Sequence, residues 1–124
     1  MLSLRLREIT GPLPTSVFDL VDENGTVLGF TQVRHKASAS ADVPQACASH
    51  IYYEIYPDQR NKGYGKEILR LALEEARKIH LHPVIVTCVE DNIASKKIIE
   101  AHEGTYTGFC ELGDGKKLLR YEFD

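Results

Sequence analysis

The sequence predicts an α/β (α+β) fold: one mixed, mostly antiparallel β-sheet that contains a βαβ unit. Two glycine turns predict the antiparallel part, namely Asn24-Gly25 near the N-terminus and the segment 113–115 between strand-like runs 105–112 and 117–123. Such turns are typical of β-hairpins. An amphipathic helix at about 64–80, set between a β-branched run and an apolar run, predicts a right-handed βαβ crossover. The predicted element order is β-β-β-β-α-β-α-β-β.

Four strands are predicted before the first helix. Residues 4–9 alternate apolar and polar side chains, and residues 17–21 and 27–34 form the first hairpin. Residues 50–56 are β-branched and aromatic, which favours a strand that delivers the chain to the helix. The segment 37–48 is rich in Ala and Ser and carries no period, so we expect an irregular loop there.

Two helices and a central strand are predicted in the second half. The inward stripe of the first helix is Ile68, Ala72, Ala76 and Ile79, with Leu69 and Leu73 beside it. The nearly all-apolar run at 83–89 predicts a strand covered on both faces. Asp91 or Asn92 caps the second helix and Gly104 ends it. The inward residues of this second helix are predicted to be Ile93, Ile98 and Ala101.

Length and composition predict a single domain spanning residues 1–124. Apolar residues make up 43% and charged residues 27% of the chain, as in an ordinary soluble globular protein. The net charge of −3 argues against nucleic acid as a partner, because a phosphate-backbone binder has a basic surplus. The longest apolar run, 84–89, is too short to span a membrane, and residues 2–7 lack the apolar block of a signal peptide.

The cysteines and histidines predict neither a disulfide framework nor a metal site. Cys47, Cys88 and Cys110 are odd in number and far apart in sequence. Cys88 lies within the apolar run and is interpreted as a small core residue. His80 and His82 are interpreted as part of a solvated turn. A reducing, cytoplasmic setting is therefore predicted.

Residues 55–66 lead from a predicted strand through a short polar loop into the first helix. Gly63 and Gly65 leave the loop little side-chain bulk, so its backbone N–H groups can converge on an anion. The first helical turn adds free N–H groups and the positive end of its dipole. Three cations lie at the same place: Arg60, Lys62 and Lys66. The pattern predicts a phosphate or pyrophosphate site, with a loop that serves turning and solubility alone as the alternative.

The loop does not match the two common nucleotide motifs. The dinucleotide fingerprint requires a glycine three residues after Gly65, where this chain has Ile68. The Walker motif requires Ser or Thr after Gly-Lys, where this chain has Glu67. Both nucleotide interpretations therefore fail on these residues.

Two segments within about 51–104 resemble the cofactor-binding half of the GNAT superfamily of acetyltransferases. They are Arg60-x-x-Gly63-x-Gly65 after a strand, and Asp91-Asn92-x-x-Ser95 with Ile99-Glu100 and Gly104 following. The first is similar to the coenzyme A pyrophosphate loop, and the second is similar to a branch of bacterial predicted acetyltransferases. Both together, in the right order, are far more specific than either alone.

The resemblance implies acetyl-CoA as co-substrate and no metal. Backbone N–H groups of residues 60–65, with Lys66, would hold the pyrophosphate, while Ile55 and Tyr56 would pair with the pantetheine arm as an added strand would. Asn92 would bind the cofactor, cap the helix, or do both. The implied cofactor-binding set is Ile55, Tyr56, Arg60, Asn61, Lys62, Gly63, Tyr64, Gly65, Lys66, Asn92, Ser95 and Lys96.

The resemblance also implies the reaction: a primary amine of a small molecule or protein attacks the thioester directly. The amine must be neutral, so a base takes its proton. Glu54 is the candidate base, with a solvent-facing or ion-paired strand carboxylate as the alternative. Many family members place an acidic tyrosine where this chain has Ile99. Tyr106 is the candidate replacement, and unassisted departure of the thiolate is the alternative.

One departure from the family concerns the acceptor side. Members commonly insert one or two helices between the first two strands, and residues 11–16 leave no room for them. The acceptor pocket is therefore expected from the segment 37–48, the last hairpin, or a second subunit. This predicts an open acceptor side and, in the last case, a homodimer. A CoA-binding regulatory or interaction module without catalysis is the alternative function, and a phosphate- or nucleotide-binding domain outside the family is a third.

Overall fold

The computed structural model describes residues 1–11, 14–39 and 43–124. The described residues form one seven-stranded sheet and two α-helices in the predicted order. The strands are β1 (Ser3–Thr10), β2 (Thr15–Val21), β3 (Val27–Ser38), β4 (Ser49–Ile55), β5 (Val84–Val89), β6 (Thr105–Glu111) and β7 (Lys117–Phe123). The helices are α1 (Tyr64–Lys78) and α2 (Ile93–Ala101), and short 3-10 turns span Gln45–Cys47 and Pro57–Gln59. No helix in these ranges is long and apolar enough to cross a bilayer.

The sheet runs in the order β1-β2-β3-β4-β5-β7-β6 and is antiparallel except between β4 and β5. Helix α1 connects those two parallel strands, and its apolar face packs with Ile99 of α2 against one face of the sheet. The prediction of a mixed, mostly antiparallel sheet with one βαβ unit is therefore confirmed. We call the sheet face opposite α1 and α2 the open face, because no helix among the described residues covers it.

The junction between β1 and β2 has no space for an inserted helix. The register pairs Thr10 with Thr15, which leaves four residues between the two strands. The predicted lack of N-terminal helices is confirmed, and no α-helix of the described residues lies on the open face.

The buried faces of the helices agree with the predicted stripe only in part. Helix α1 buries Ile68, Leu69, Ala72, Leu73 and Ala76. Ile79 was predicted inward wrongly, because α1 ends at Lys78 and leaves Ile79 37% exposed. In α2 the inward choice is right for Ile98, which is half-buried against the core, and wrong for Ile93, which is 54% exposed, and for Ala101, which is exposed; the fully buried residue is Ile99. A helix of nine residues touches the sheet over a narrow strip, and that strip is centred on Ile99.

Two boundaries differ from the prediction. Strand β3 continues to Ser38 and so enters the segment 37–48 that was predicted to be an irregular loop. The 3-10 turn Gln45–Cys47 also lies in that segment, while residues 40–42 lie outside the described residues. Gly104 does not take the left-handed conformation that ends α2, since Glu103 takes it with φ 66°. A Cβ on Gly104 would instead lie 2.7 Å from the Phe123 ring, so glycine allows close packing there.

The prediction that the cysteines form no disulfide is wrong. Cys47 and Cys110 form one, with their Cα atoms 6.3 Å apart. The 3-10 turn contacts β6 and β7, which brings together two residues that are 63 positions apart in sequence. Sequence spacing carries no information on such a contact. Cys88 is free and buried, as predicted.

Strands β4 and β5 diverge immediately after they meet. Their register contains a single pair, Ile51 with Val86. The buried side chain of His50 substitutes for a ladder bond, because its Nδ1 accepts a hydrogen bond from the Ile85 N–H at 2.9 Å. Burial, followed by the charges of Arg120 and Arg34, lowers the pKa of His50. The folded protein therefore holds this imidazole neutral, as an acceptor at Nδ1 must be.

Because the pKa of His50 is lowered in the folded protein, the stability of the protein decreases as the pH is lowered. Because the unfolded chain binds the His50 proton first, stability is fully present above an ordinary histidine pKa of about 6.5 and decreases below it until folded His50 itself protonates. We expect His50→Asn, which keeps an acceptor atom but cannot titrate, to flatten the decrease in melting temperature between about pH 7.5 and about pH 5. His80→Asn, at an exposed position, is the control and should retain the wild-type slope. An unchanged slope in the His50 variant would contradict the assignment.

Candidate functional site

A groove of about 760 Å³ opens where β4 and β5 diverge. Its walls are β4, the loop that follows it, the first turn of α1, β5 and the first turns of α2. This volume lies in the range of sites for small ligands and cofactors, about 300–1,000 Å³. The groove is therefore the candidate functional site.

The loop between β4 and α1 has the backbone of an anion site. Asn61 and Gly63 both take left-handed conformations, with φ 64° and φ 82°, and such alternation turns successive N–H groups toward one concavity. Gly63 is the N-cap of α1 and supplies no side-chain cap. The first N–H groups of α1 therefore have no side-chain partner at the cap, and they lie at the positive end of the helix dipole.

The cations of this loop have different positions. Arg60 and Lys66 line the groove, and Arg60 Nε donates to the Ile55 carbonyl at 2.9 Å. Lys62 does not line it, since its Nζ donates to Gln59 at 3.2 Å. Gly65 has a packing role as well, because a Cβ there would lie 2.8 Å from Ile98 Cδ1 of α2.

The edge of β4 that faces the groove carries unpaired backbone groups. The Tyr56 N–H donates to the Leu28 carbonyl at 3.0 Å and so points to β3. Backbone groups alternate along an antiparallel strand, so those of Tyr53 and Ile55 point to the groove. Since β5 pairs only at Ile51, the Tyr53 and Ile55 N–H groups are available to an extended ligand. Tyr56 is not among the groove residues.

Helix α2 contributes a cap and a hydroxyl pair. Asn92 Oδ1 accepts from the Ser95 N–H at 3.2 Å, which leaves the Asn92 amide N–H₂ for a ligand. The hydroxyls of Ser95 and Tyr53 lie 2.8 Å apart. Burial raises the pKa of Tyr53, although its hydrogen bond to Ser95 acts in the opposite direction. Tyr53 therefore keeps its proton near neutral pH.

Glu54 lines the groove on the other side of β4 from Tyr53. The Tyr52 hydroxyl donates to Glu54 Oε1 at 3.4 Å, and the Phe30 ring centroid lies 5.9 Å from that of Tyr52. Burial, then the charge of Glu54, raises the pKa of Tyr52. No Lys or Arg among the described residues forms an ion pair with Glu54. Its carboxylate therefore has the Tyr52 hydroxyl as its hydrogen-bond partner and lies at the groove.

The two positions considered for an acidic tyrosine lie away from the groove. Tyr106 is 52% exposed in β6, where its ring packs edge-on against Tyr121 with centroids 5.7 Å apart. Ile99 is fully buried in the core. Neither lines the groove, whereas Tyr53 does.

A smaller cavity of about 190 Å³ adjoins the groove. The two share Ile51, Tyr52, Thr87 and Leu118. Its other walls include Arg34, Val43 and Cys47, so residues of the segment 37–48 and of β7 help to form it. We call it the side cavity.

The structure brings most of the predicted cofactor residues to one groove. They are Ile55, Arg60, Asn61, Gly63, Tyr64, Gly65, Lys66, Asn92 and Ser95. Tyr56, Lys62 and Lys96 do not line it, and Lys97 lies there in place of Lys96. Sequence reasoning missed Tyr53, although strand alternation from Ile55 places it on the same side. No cluster of metal-ligating side chains occurs in the described part of the chain.

Known structures share this fold. Mutant forms of the spermidine/spermine N-acetyltransferase SpeG from Vibrio cholerae superpose with TM-score 0.73 at 13% identity, over 98% of this chain and 92% of that chain. The V. cholerae spermidine N-acetyltransferase in complex with CoA and spermine gives 0.71 at 16%, over 88% and 64%. Salmonella typhimurium yncA with its cofactor acetyl-CoA gives 0.68 at 21%, over 89% and 64%.

The sequence comparison identifies the family. No curated protein matches the sequence significantly. Residues 8–104, more than half of the chain, match the family model described as an acetyltransferase (GNAT) domain. With its mixed seven-stranded sheet and its groove at the β4–β5 divergence, this chain belongs to the GNAT acetyltransferase family.

Proposed function

We propose that this protein is an acetyl-CoA-dependent N-acetyltransferase that acetylates a primary amine of a small molecule or protein. One observation carries the proposal: a single groove is lined by a loop with the backbone of an anion site, by the β4 edge beyond its pairing with β5, and by the side chains of Glu54 and Tyr53. An elongated ligand with a pyrophosphate at one end and an amide-containing arm at the other matches that arrangement.

Each part of the groove has a role in holding the co-substrate. The N–H groups of residues 60–65 and the Lys66 ammonium bind pyrophosphate. The free backbone N–H groups of Tyr53 and Ile55 bind the pantetheine arm as an added strand. The Asn92 amide N–H₂ and the Ser95 hydroxyl bind along the opposite wall. What acetyl-CoA supplies when bound is an activated acetyl thioester.

The acceptor amine must lose a proton before or during attack. Glu54 takes that proton, directly or through one water, while the new carbon–nitrogen bond forms and the carbon–sulfur bond breaks. Adjacent side chains of a strand point to opposite faces of the sheet. The Glu54 side chain therefore points to the open face, and the Tyr53 side chain points to the face that carries the helices. The acceptor therefore enters, and the thiol leaves, on opposite sides of the β4 edge.

The departing thiolate needs a proton, and Tyr53 is the better placed donor. Its hydroxyl lines the groove, keeps its proton, and is held by Ser95. Tyr106 lies on the far strand β6 and packs on Tyr121. We therefore assign the acid to Tyr53 in place of the sequence-based candidate Tyr106.

A CoA-binding regulatory or interaction module without catalysis is the second candidate function. The buried Ile99 and the uncovered open face favour it, since family members commonly have a tyrosine at that position and helices beside the acceptor. Acetyl-CoA binding without thiol release across a broad panel of amines would support this alternative. The third alternative, a phosphate- or nucleotide-binding domain outside the family, is excluded by the match of residues 8–104 to the acetyltransferase (GNAT) domain.

The assembly and the location are part of the proposal. A homodimer that covers the open face would complete the acceptor side. A cytoplasmic location supplies acetyl-CoA, but the Cys47–Cys110 disulfide is more typical of oxidising compartments. The prediction of a reducing setting from cysteine spacing has therefore lost its basis, and cytoplasmic location stays a prediction.

The first prediction concerns the anion loop. We expect Gly63→Glu to abolish the thermal stabilisation of the protein by acetyl-CoA, because the new carboxylate repels pyrophosphate and the left-handed backbone disfavours any side chain. Gly25→Glu is the matched control: Gly25 has φ 81° against φ 82° for Gly63, and neither has an atom within 4 Å of a built Cβ. The Gly25 variant should retain the full shift in melting temperature. The family-based function would fall if wild-type protein showed no shift with acetyl-CoA.

The second prediction concerns proton transfer. We expect Glu54→Gln and Tyr53→Phe each to lower kcat by about 10²- to 10⁴-fold, the usual contribution of general acid–base catalysis. Their Kd for acetyl-CoA should stay within a few fold of wild type. Tyr106→Phe is the control and should leave kcat unchanged. Equal kcat for the Tyr53 variant and wild type would show that the thiolate leaves without help from Tyr53.

A further inference from the structure

The side cavity is joined to the groove at the place where the acceptor must react. Tyr52 and Thr87 belong to both, and Tyr52 also hydrogen-bonds the proposed base Glu54. A molecule whose amine lies near Glu54 therefore has room for a second group in the side cavity. The residues there determine which group is accepted.

Arg34 is the charged residue that lines the side cavity. It is half-buried, and its Nη1 donates to Ser49 Oγ at 3.1 Å and to the Ser49 carbonyl at 3.5 Å. No carboxylate among the described residues pairs with it. Two other arginines of the sheet do have such partners, since Arg7 pairs with Asp19 and Arg120 with Glu122.

The environment of Arg34 does not neutralise its charge. Burial lowers the pKa of Arg34, but a guanidinium remains protonated in proteins. Nearby His50 is neutral because its Nδ1 accepts a hydrogen bond, and its own pKa is lowered in part by Arg34. A half-buried charge without a partner is costly. An anionic group in the side cavity would remove that cost.

We infer that the acceptor of this acetyltransferase carries a carboxylate as well as the reacting amine, and that Arg34 binds the carboxylate in the side cavity. The inference rests on the proposed function and adds the substrate class: an amino acid or another amine with an acidic group. The cavity is small enough for such a compact group, and Ser49 fixes the guanidinium so that its remaining N–H groups are available.

The charges on the open face match a dipolar acceptor. Glu54 pairs with Phe30 across β3 and β4, and Arg34 lies four residues farther along β3, about 13 Å along a strand. The amine of the acceptor thus lies near the Glu54 carboxylate, and the acidic group of the acceptor lies near the Arg34 guanidinium. The length of the Arg34 side chain shortens the distance between the two sites. A polyamine such as spermine would place a second cation against Arg34, which opposes its binding.

The test compares acceptors that differ only in one group. Thiol release from acetyl-CoA is measured with 4-aminobutyrate, 4-aminobutanamide and 1,4-diaminobutane, and with the shorter pair glycine and glycinamide. We expect a carboxylate compound to have the highest kcat/KM of its series. Arg34→Gln should reduce that preference about 10- to 100-fold, as expected for loss of a charge-assisted hydrogen bond. Arg34→Lys should keep part of it.

The control removes an equal charge nearby. Lys36 lies two residues after Arg34 on the same strand, at an exposed position. The variant Lys36→Gln should leave the preference for the carboxylate compound unchanged. The shift in melting temperature that acetyl-CoA causes in each variant verifies that the variant is folded and binds acetyl-CoA. Loss of acetyl-CoA binding by the wild type would overturn the proposed function itself. Two results would overturn the inference on Arg34 in a wild-type protein that binds acetyl-CoA. One is that neither turnover nor binding to the CoA-loaded protein favours an amine that carries a carboxylate. The other is that Arg34→Gln keeps the wild-type preference for the carboxylate compound.

Discussion

The divergence of β4 from β5 is the constraint on which the rest of this structure depends. A buried sheet satisfies the N–H and C=O groups of each strand through its neighbours, yet these two strands share only the pair Ile51 and Val86. His50 satisfies one orphaned N–H on β5. Arg60 satisfies the carbonyl of Ile55. The remaining free groups of Tyr53 and Ile55 face a groove, where an extended ligand can complete the sheet.

The same divergence determines which side chains can work together. Helix α1 begins where β4 ends, so its N-terminal N–H groups and the left-handed residues Asn61 and Gly63 lie at one end of the groove. Close packing of Gly65 on Ile98 draws α2 against that end, and α2 in turn brings Ser95 to Tyr53. The loop before α1, the β4 edge and the Tyr53–Ser95 hydroxyl pair are thus parts of one packing arrangement.

The order of the elements and the anion loop could be predicted from sequence because both depend on local physics. Turn residues, strand alternation and helical period are properties of neighbouring positions, and the loop requires glycine for its backbone at Gly63. Two of the three inward residues of α2, Ile93 and Ala101, were predicted wrongly, since a helix of nine residues has too few turns for its apolar stripe to outweigh the contact of Ile99 with the core. The Cys47–Cys110 bond was missed because sequence distance does not report spatial distance.

By itself the sequence determined the fold class and the family, and it singled out the stretch from Ile55 to Lys66 as the candidate anion site. Only the tertiary structure decided which side chains face the groove. Lys62 and Tyr56 do not line the groove, whereas Tyr53 and Lys97 do. Tyr106 lies on β6, and Arg34 lines the side cavity that adjoins the groove. The physical reason is that local patterns fix backbone conformation, whereas the partners of a side chain depend on strands and helices that are far apart in the chain.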